Sequence, residues 1–150
     1  MGTISKNFSY SEFERSDIAD RYVITNGIRT VEVRDAIYNL VTNLLQPLRD
    51  AWKEPLHINS GYRSKELNKV LSSSSPTSVH MLGYAADITP SNGKFDDFVK
   101  FCEKWLKVDC RASFDQMLIE KNSKGARWVH IGLKNNEGQQ RRQIKTMEVK

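Results

Sequence analysis

The chain of 150 residues is short of the side chains that staple or cluster small folds: it has two cysteines, Cys102 and Cys110, and three histidines. Two thiols eight positions apart do not make a disulfide framework, and both are expected to be reduced. Long apolar runs are missing as well. No segment approaches the about 20 consecutive apolar residues of a membrane-spanning helix. The start, Met1-Gly2-Thr3-Ile4-Ser5-Lys6-Asn7-Phe8, lacks the apolar stretch of a secretory signal. The expectation is a protein without a membrane span that is cytoplasmic until something else carries or releases it. Internal repeats and low-complexity linkers are absent too, which excludes solenoids and tethered arrays.

What is present is ordinary for a globular domain. Hydrophobic residues make up 39% and charged residues 27%, and a chain of this length buries roughly two-thirds of its unfolded surface in one core. The net charge of +5 favours acidic partners such as nucleic acid, anionic polymers or a carboxylate-bearing cell wall. A nucleic-acid module would set basic residues on one face beside aromatics or a known fold signature. Neither is visible, so no nucleic-acid partner is expected. Residues 134–150 carry Arg141, Arg142 and Lys145 among Asn, Gln and Gly, and read as a polar tail or a late strand. The tail is the expectation, which gives a domain over 1–133 followed by a basic polar C-terminal tail over 134–150.

Helical and extended patterns alternate along the chain. Ser9-Tyr10-Ser11-Glu12 has the spacing of a capping box and predicts a short helix through Phe13. Over 31–52 the residues Val33, Ile37, Leu40, Val41, Leu44, Leu45 and Leu48 recur at helical spacing and form the main core helix. Pro47 should bend it or begin a new helix near Gln46. Residues 56–60 read as a strand ending at Gly61, and 64–71 as a short helix. The Ser-rich stretch 72–77 is a loop closed by Pro76. Beyond it come a buried strand over 84–88, an amphipathic helix over 94–106, and two strands over 114–120 and 127–133. The turn-rich Asn122-Ser123-Lys124-Gly125 makes those last strands a hairpin. The fold class is α+β, a small and mainly antiparallel sheet with helices packed on it.

Against this background the three metal-capable residues stand out. His80 and Asp87 lie in Ser78-Val79-His80-Met81-Leu82-Gly83-Tyr84-Ala85-Ala86-Asp87, and His130 in Trp128-Val129-His130-Ile131-Gly132. Two imidazoles and one carboxylate suit a catalytic zinc site that keeps a position open for water, whereas structural sites usually take four protein ligands. Gly83 and Ala85 would remove bulk that obstructs a metal or its substrate. The remaining histidine, His57, alternates with apolar neighbours and reads as an exposed or hydrogen-bonded strand residue. In the hairpin, Glu120 and His130 fall on adjacent strands that can share one cleft. Alternation puts Glu120 on the face of Gln116 and Leu118, with Asp115 on the other.

These segments resemble a known family. Ser78-x-His80-x-x-Gly83-x-Ala85-x-Asp87 with Trp128-Val129-His130 is similar to the signature of the zinc D-alanyl-D-alanine carboxypeptidases. Their relatives include vancomycin-resistance dipeptidases and phage endolysins that cut the L-alanyl-D-glutamate bond. Ile58-Asn59-Ser60-Gly61-Tyr62-Arg63-Ser64, Phe8-Ser9-x-x-Glu12-Phe13 and Leu45-Gln46-Pro47-Leu48-Arg49 resemble further elements of that family, in the same order. The similarity covers roughly residues 7–133 and implies a single domain of the hedgehog/DD-peptidase fold.

The resemblance implies zinc held by His80, Asp87 and His130, and peptidoglycan stem peptides as substrate for a monomeric, cell-wall-degrading metallopeptidase of phage or prophage type. Arg63 corresponds to the arginine that faces the substrate carboxylate or the developing oxyanion. Ser78 stands where a hydroxyl could bond the substrate backbone or cap its own loop, and Trp128 where it could wall the cleft or fill the core. Many relatives carry an acid three residues before the last histidine, but Arg127 occupies that place here. Others have a histidine two positions before that ligand, where this chain has Trp128. Phe114-Asp115-Gln116-Met117-Leu118-Ile119-Glu120 is similar to the strand of the hedgehog signalling domain whose glutamate lies next to zinc. Glu120 is therefore the preferred general base, with Asp115 second, paired with Arg111 or capping a turn if it is not the base. A zinc-stabilised binding or structural module of the same fold is the alternative to an enzyme.

Overall fold

A computed structural model describes residues 2–71, 75–109 and 113–149. Cys110, and Arg111 as a partner for Asp115, lie outside the described residues. The fold is α+β, with one five-stranded sheet and helices against it. Helix α1 (Tyr10–Glu14) opens as its capping box predicts, with the Ser9 amide donating to the Glu12 carboxylate at 2.9 Å. Helix α2 (Asp17–Arg21) follows, capped by Ser16.

The long core helix arrives in three pieces: α3 (Val31–Leu40), a π-helical turn (Val41–Leu45) and α4 (Gln46–Trp52). Pro47 is the reason. It has no N–H to donate and its ring crowds the carbonyl four residues earlier, and the wider turn just before α4 absorbs the misfit. Because the helix continues rather than breaks, Leu40, Val41, Leu44, Leu45 and Leu48 all stay fully buried.

The sheet runs β1 (Leu56–Ser60), β2 (Ala85–Pro90), β4 (Arg127–Gly132), β3 (Gln116–Asn122), β5 (Gln143–Val149) in spatial order. All neighbours are antiparallel except β3 and β5. Thus 143–149, within the stretch that reads as tail or late strand, is a strand, and the sheet continues past residue 133. Helix α6 (Phe95–Lys104) extends into a second π-helical turn (Trp105–Asp109). Its Phe98, Cys102 and Leu106 join Ile58, Ile88, Met117, Val129 and Ile131 in one core with α4. Cys102 is fully buried, and that burial pushes its thiol pKa up and keeps it unreactive.

Strand alternation decides what the other face shows. With Ala86, Ile88, Val129 and Ile131 turned to the helices, Asp87 and His130 must turn away from them. The register then sets Ser60, Asp87, His130, Leu118 and Lys145 in one row across all five strands. A bulge makes the first pairing possible. Ile58 sits opposite Ile88 but Ser60 opposite Asp87, so Asn59 is the extra residue on β1.

Strand β5 is held at its start by an ion pair. The Asp115 carboxylate, 3% exposed, accepts from the Arg141 backbone N–H at 3.0 Å and from its Nε and Nη2 at 2.8 Å each. Burial works against the charge, but these bonds outweigh it and hold Asp115 below the ordinary aspartate range. A carboxylate with a depressed folded pKa stabilises the fold above its unfolded pKa, about 3.9, and that contribution fades as pH falls through the folded value. Asp115→Asn should lower stability by on the order of 1–3 kcal/mol at neutral pH. Its thermal midpoint should also depend less on pH below 5 than that of the unaltered chain. Parallel curves for the two proteins down to pH 2.5 would show the pair contributes nothing.

Candidate metal centre

Each functional side chain is delivered by a local feature of the sequence. After α5 (Lys65–Val70), a 3₁₀ turn (Val79–Leu82) carries His80, and Ser78 caps that turn by accepting the His80 N–H at 3.3 Å. Gly83 ends it with φ +79°, and a Cβ there would lie 2.9 Å from the Val33 carbonyl oxygen. So the glycine lets the turn press against α3; the space it clears is on the helix side, not over the metal residues. Gly61 has a similar duty, since a Cβ would meet the Phe13 backbone at 2.7 Å. Its carbonyl accepts the His80 Nδ1–H at 2.8 Å. That bond settles the tautomer and leaves the Nε2 lone pair facing inward.

Asp87 lies between the two histidines. Its Oδ1 is 3.3 Å from His80 Nε2 and 3.0 Å from His130 Nδ1, and its Oδ2 is 3.3 Å from Arg63 Nη2. His80, Asp87 and His130 are all buried, with one ligand atom of each within 4.8 Å of the others. The fit to a metal can be judged from spacing alone. A tetrahedral divalent ion with bonds of about 2.0–2.1 Å sets its ligand atoms about 3.3 Å apart, close to the two separations involving Asp87. The donor set is also the right one, being two imidazoles and one carboxylate.

The two imidazoles differ in their electrostatics. Burial pushes His80 down and keeps it neutral, as a ligand must be. For His130 burial acts the same way, yet the hydrogen bond and charge of Asp87 win and raise it. Asp87 is opposed by burial and nevertheless driven far below the aspartate range by the two histidines. An anion this deeply buried needs cationic or donor partners on both oxygens.

A cavity of about 220 Å³ opens onto these residues, lined also by Arg63, Ser78, Leu118, Glu120, Trp128 and Val149. Apart from Asp115, every residue singled out by the sequence for chemistry borders this one space. Burial and then the Asp87 charge raise Glu120 above the ordinary glutamate value, while the Trp128 Nε1–H donates to its Oε1 at 2.8 Å. Arg63 is lowered by burial, against the pull of Asp87 and Glu120. Its Nε donates to Ser60 Oγ at 3.1 Å, so the bulge on β1 orients it.

Asp115, the second candidate base, is turned away and bonded to Arg141. His57 is exposed on β1 with its Nε2 3.1 Å from Arg15 Nη2. Arg127 does not enter the cavity: it pairs with Asp96 at 2.8 Å and stacks over Phe95.

This arrangement coincides with a family. Residues 6–131 match the family described as Peptidase M15. The chain belongs to that peptidase family. No curated protein matches it. In this M15 peptidase the cavity extends beyond the matched residues, because Val149 of β5 forms part of its wall.

Sequence reasoning missed Asn26. Its buried side chain donates to the Glu14 and Tyr62 carbonyls at 2.9 and 3.0 Å and accepts the Ser64 N–H at 2.7 Å. It thus grips the backbone on both sides of Arg63, whose own N–H bonds the His80 carbonyl at 3.2 Å. An asparagine without a motif around it gives no signal of such a contact. Asn26→Ala leaves these three backbone groups without their partner and should cost about 1–3 kcal/mol, measured as a drop in the urea midpoint. An unchanged midpoint would show that the Arg63 loop holds its shape without the clamp.

Proposed function

We propose that the chain is a zinc-dependent peptidase that hydrolyses peptide bonds of peptidoglycan stem peptides, as a D-Ala-D-Ala carboxypeptidase or an L-Ala-D-Glu endopeptidase. The observation that carries this reading is the meeting of His80, Asp87 and His130 with Glu120 and Arg63 around one cavity, in a chain of the M15 peptidase family. His80 Nε2, an Asp87 oxygen and His130 Nδ1 would hold the ion. Bound there, zinc supplies Lewis acidity, making water acidic near neutral pH and polarising a carbonyl.

The protein's own groups do the rest. Glu120 is raised by burial and so is a better proton acceptor than an exposed glutamate. With Oε1 taken by the Trp128 indole, Oε2 is left to accept the proton of the attacking water and return it to the departing amine. The Arg63 guanidinium, with five donors in a planar fork, stabilises the oxyanion or holds the substrate carboxylate. Ser78, Leu118 and Val149 line the remaining wall of the cavity, where a substrate side chain would lie. The net charge of +5 favours approach to an anionic wall.

Glu120 beside the metal residues supports catalysis over a purely zinc-stabilised module, and one assay separates the two. Purified protein incubated with peptidoglycan should release new amino and carboxyl termini, and a chelator should stop it. Glu120→Gln should lower turnover roughly a hundredfold to ten-thousandfold while the bound zinc is retained. Mass spectrometry of the muropeptides then names the bond. No new termini from any wall type, with zinc bound, would favour the non-catalytic module.

A further inference from the structure

Trp128 has a duty that its place in the cavity wall does not by itself reveal. It sits directly opposite Glu120 across the β3–β4 ladder, and its Nε1–H reaches the Glu120 Oε1 at 2.8 Å. The next pair along, Lys121 and Arg127, falls on the other face, so neither flanking cation neutralises the glutamate. An indole N–H is a donor that cannot surrender its proton near neutral pH. It can therefore fix a carboxylate without quenching it, which a lysine or arginine in the same place would do. The Arg63 guanidinium lines the same cavity and carries the opposite charge. A glutamate side chain free to swing would close on that arginine and occupy both groups at once.

We propose that Trp128 is a positioning residue, whose indole N–H holds the Glu120 carboxylate in place beside the metal centre and apart from Arg63. The inference rests on Glu120 being the general base. One of its two oxygens is thereby committed to the indole and the other is presented to the cavity.

The test uses the whole chain and two readouts. In the metal-free protein, the nitrogen–proton correlation spectrum resolves the indole signals of Trp52, Trp105 and Trp128. Glu120→Ala should move the Trp128 indole signal upfield more than the other two. With zinc bound, Trp128→Phe keeps the aromatic wall but loses the donor, and should lower kcat roughly ten- to a hundredfold at nearly unchanged KM and metal content. An indole signal indifferent to Glu120→Ala overturns the proposal, even if the Phe variant fails to fold. So does a Phe variant whose KM rises at constant kcat, because that marks a substrate wall. Loss of turnover in Glu120→Gln together with full kcat in Trp128→Phe refutes the positioning role alone; full turnover in Glu120→Gln refutes the base itself.

Discussion

One buried carboxylate organises this molecule. Asp87 is 6% exposed, and a charge taken that far from water is costly unless both of its oxygens find partners. Oδ1 has His80 and His130, and Oδ2 has Arg63. Those partners come from three separate segments of the chain, and each is delivered by a local structural device. The bulge at Asn59 brings Ser60 and then Arg63 into line. Gly61 and Gly83 let β1 and the His80 turn come close to Phe13 and α3. The β2–β4 register places His130 opposite Asp87. Asp87 bridges the two imidazoles, whose rings also meet edge to face with centroids 5.1 Å apart, and the three side chains together could hold a cation.

The two faces of the sheet divide the labour. One is apolar and packs on α4 and α6, supplying the burial that holds the fold. The other carries the row from Ser60 to Lys145, in which the Asp87 charge is met by His80, His130 and Arg63 rather than by the core. Period-two alternation enforces the division, since a shift of one residue in β4 would exchange His130 for Val129 or Ile131 and ruin both faces.

Much of this was legible in the residues. The main helices and the strands up to β4 followed from periodicity and a capping box, though α2 did not, and the residues that group around Asp87 followed from the motifs that hold His80, Asp87 and His130. Glu120 facing the cleft and Asp115 turned away followed from alternation alone. What escaped was of one kind. Asn26 clamps a loop 36 to 38 residues away, and side-chain contacts to distant backbone leave no period in the sequence. Strand β5 is an exposed edge with few apolar residues, so its composition resembles a polar tail until β3 is there to pair with it. Its Val149 reaches the cavity only through that parallel pairing. Gly83 was legible as necessary but for the wrong neighbour, because the approach of α3 belongs to tertiary packing.

The central claim is that two imidazoles and one aspartate grip a single ion. X-ray absorption at the zinc edge, on protein loaded to saturation and washed, reads that directly. The account predicts one zinc per chain, with scattering from two imidazole rings, the remaining ligands oxygen at about 2.0–2.1 Å, and no sulphur. A sulphur shell, or fewer than two imidazoles around the ion, would contradict it.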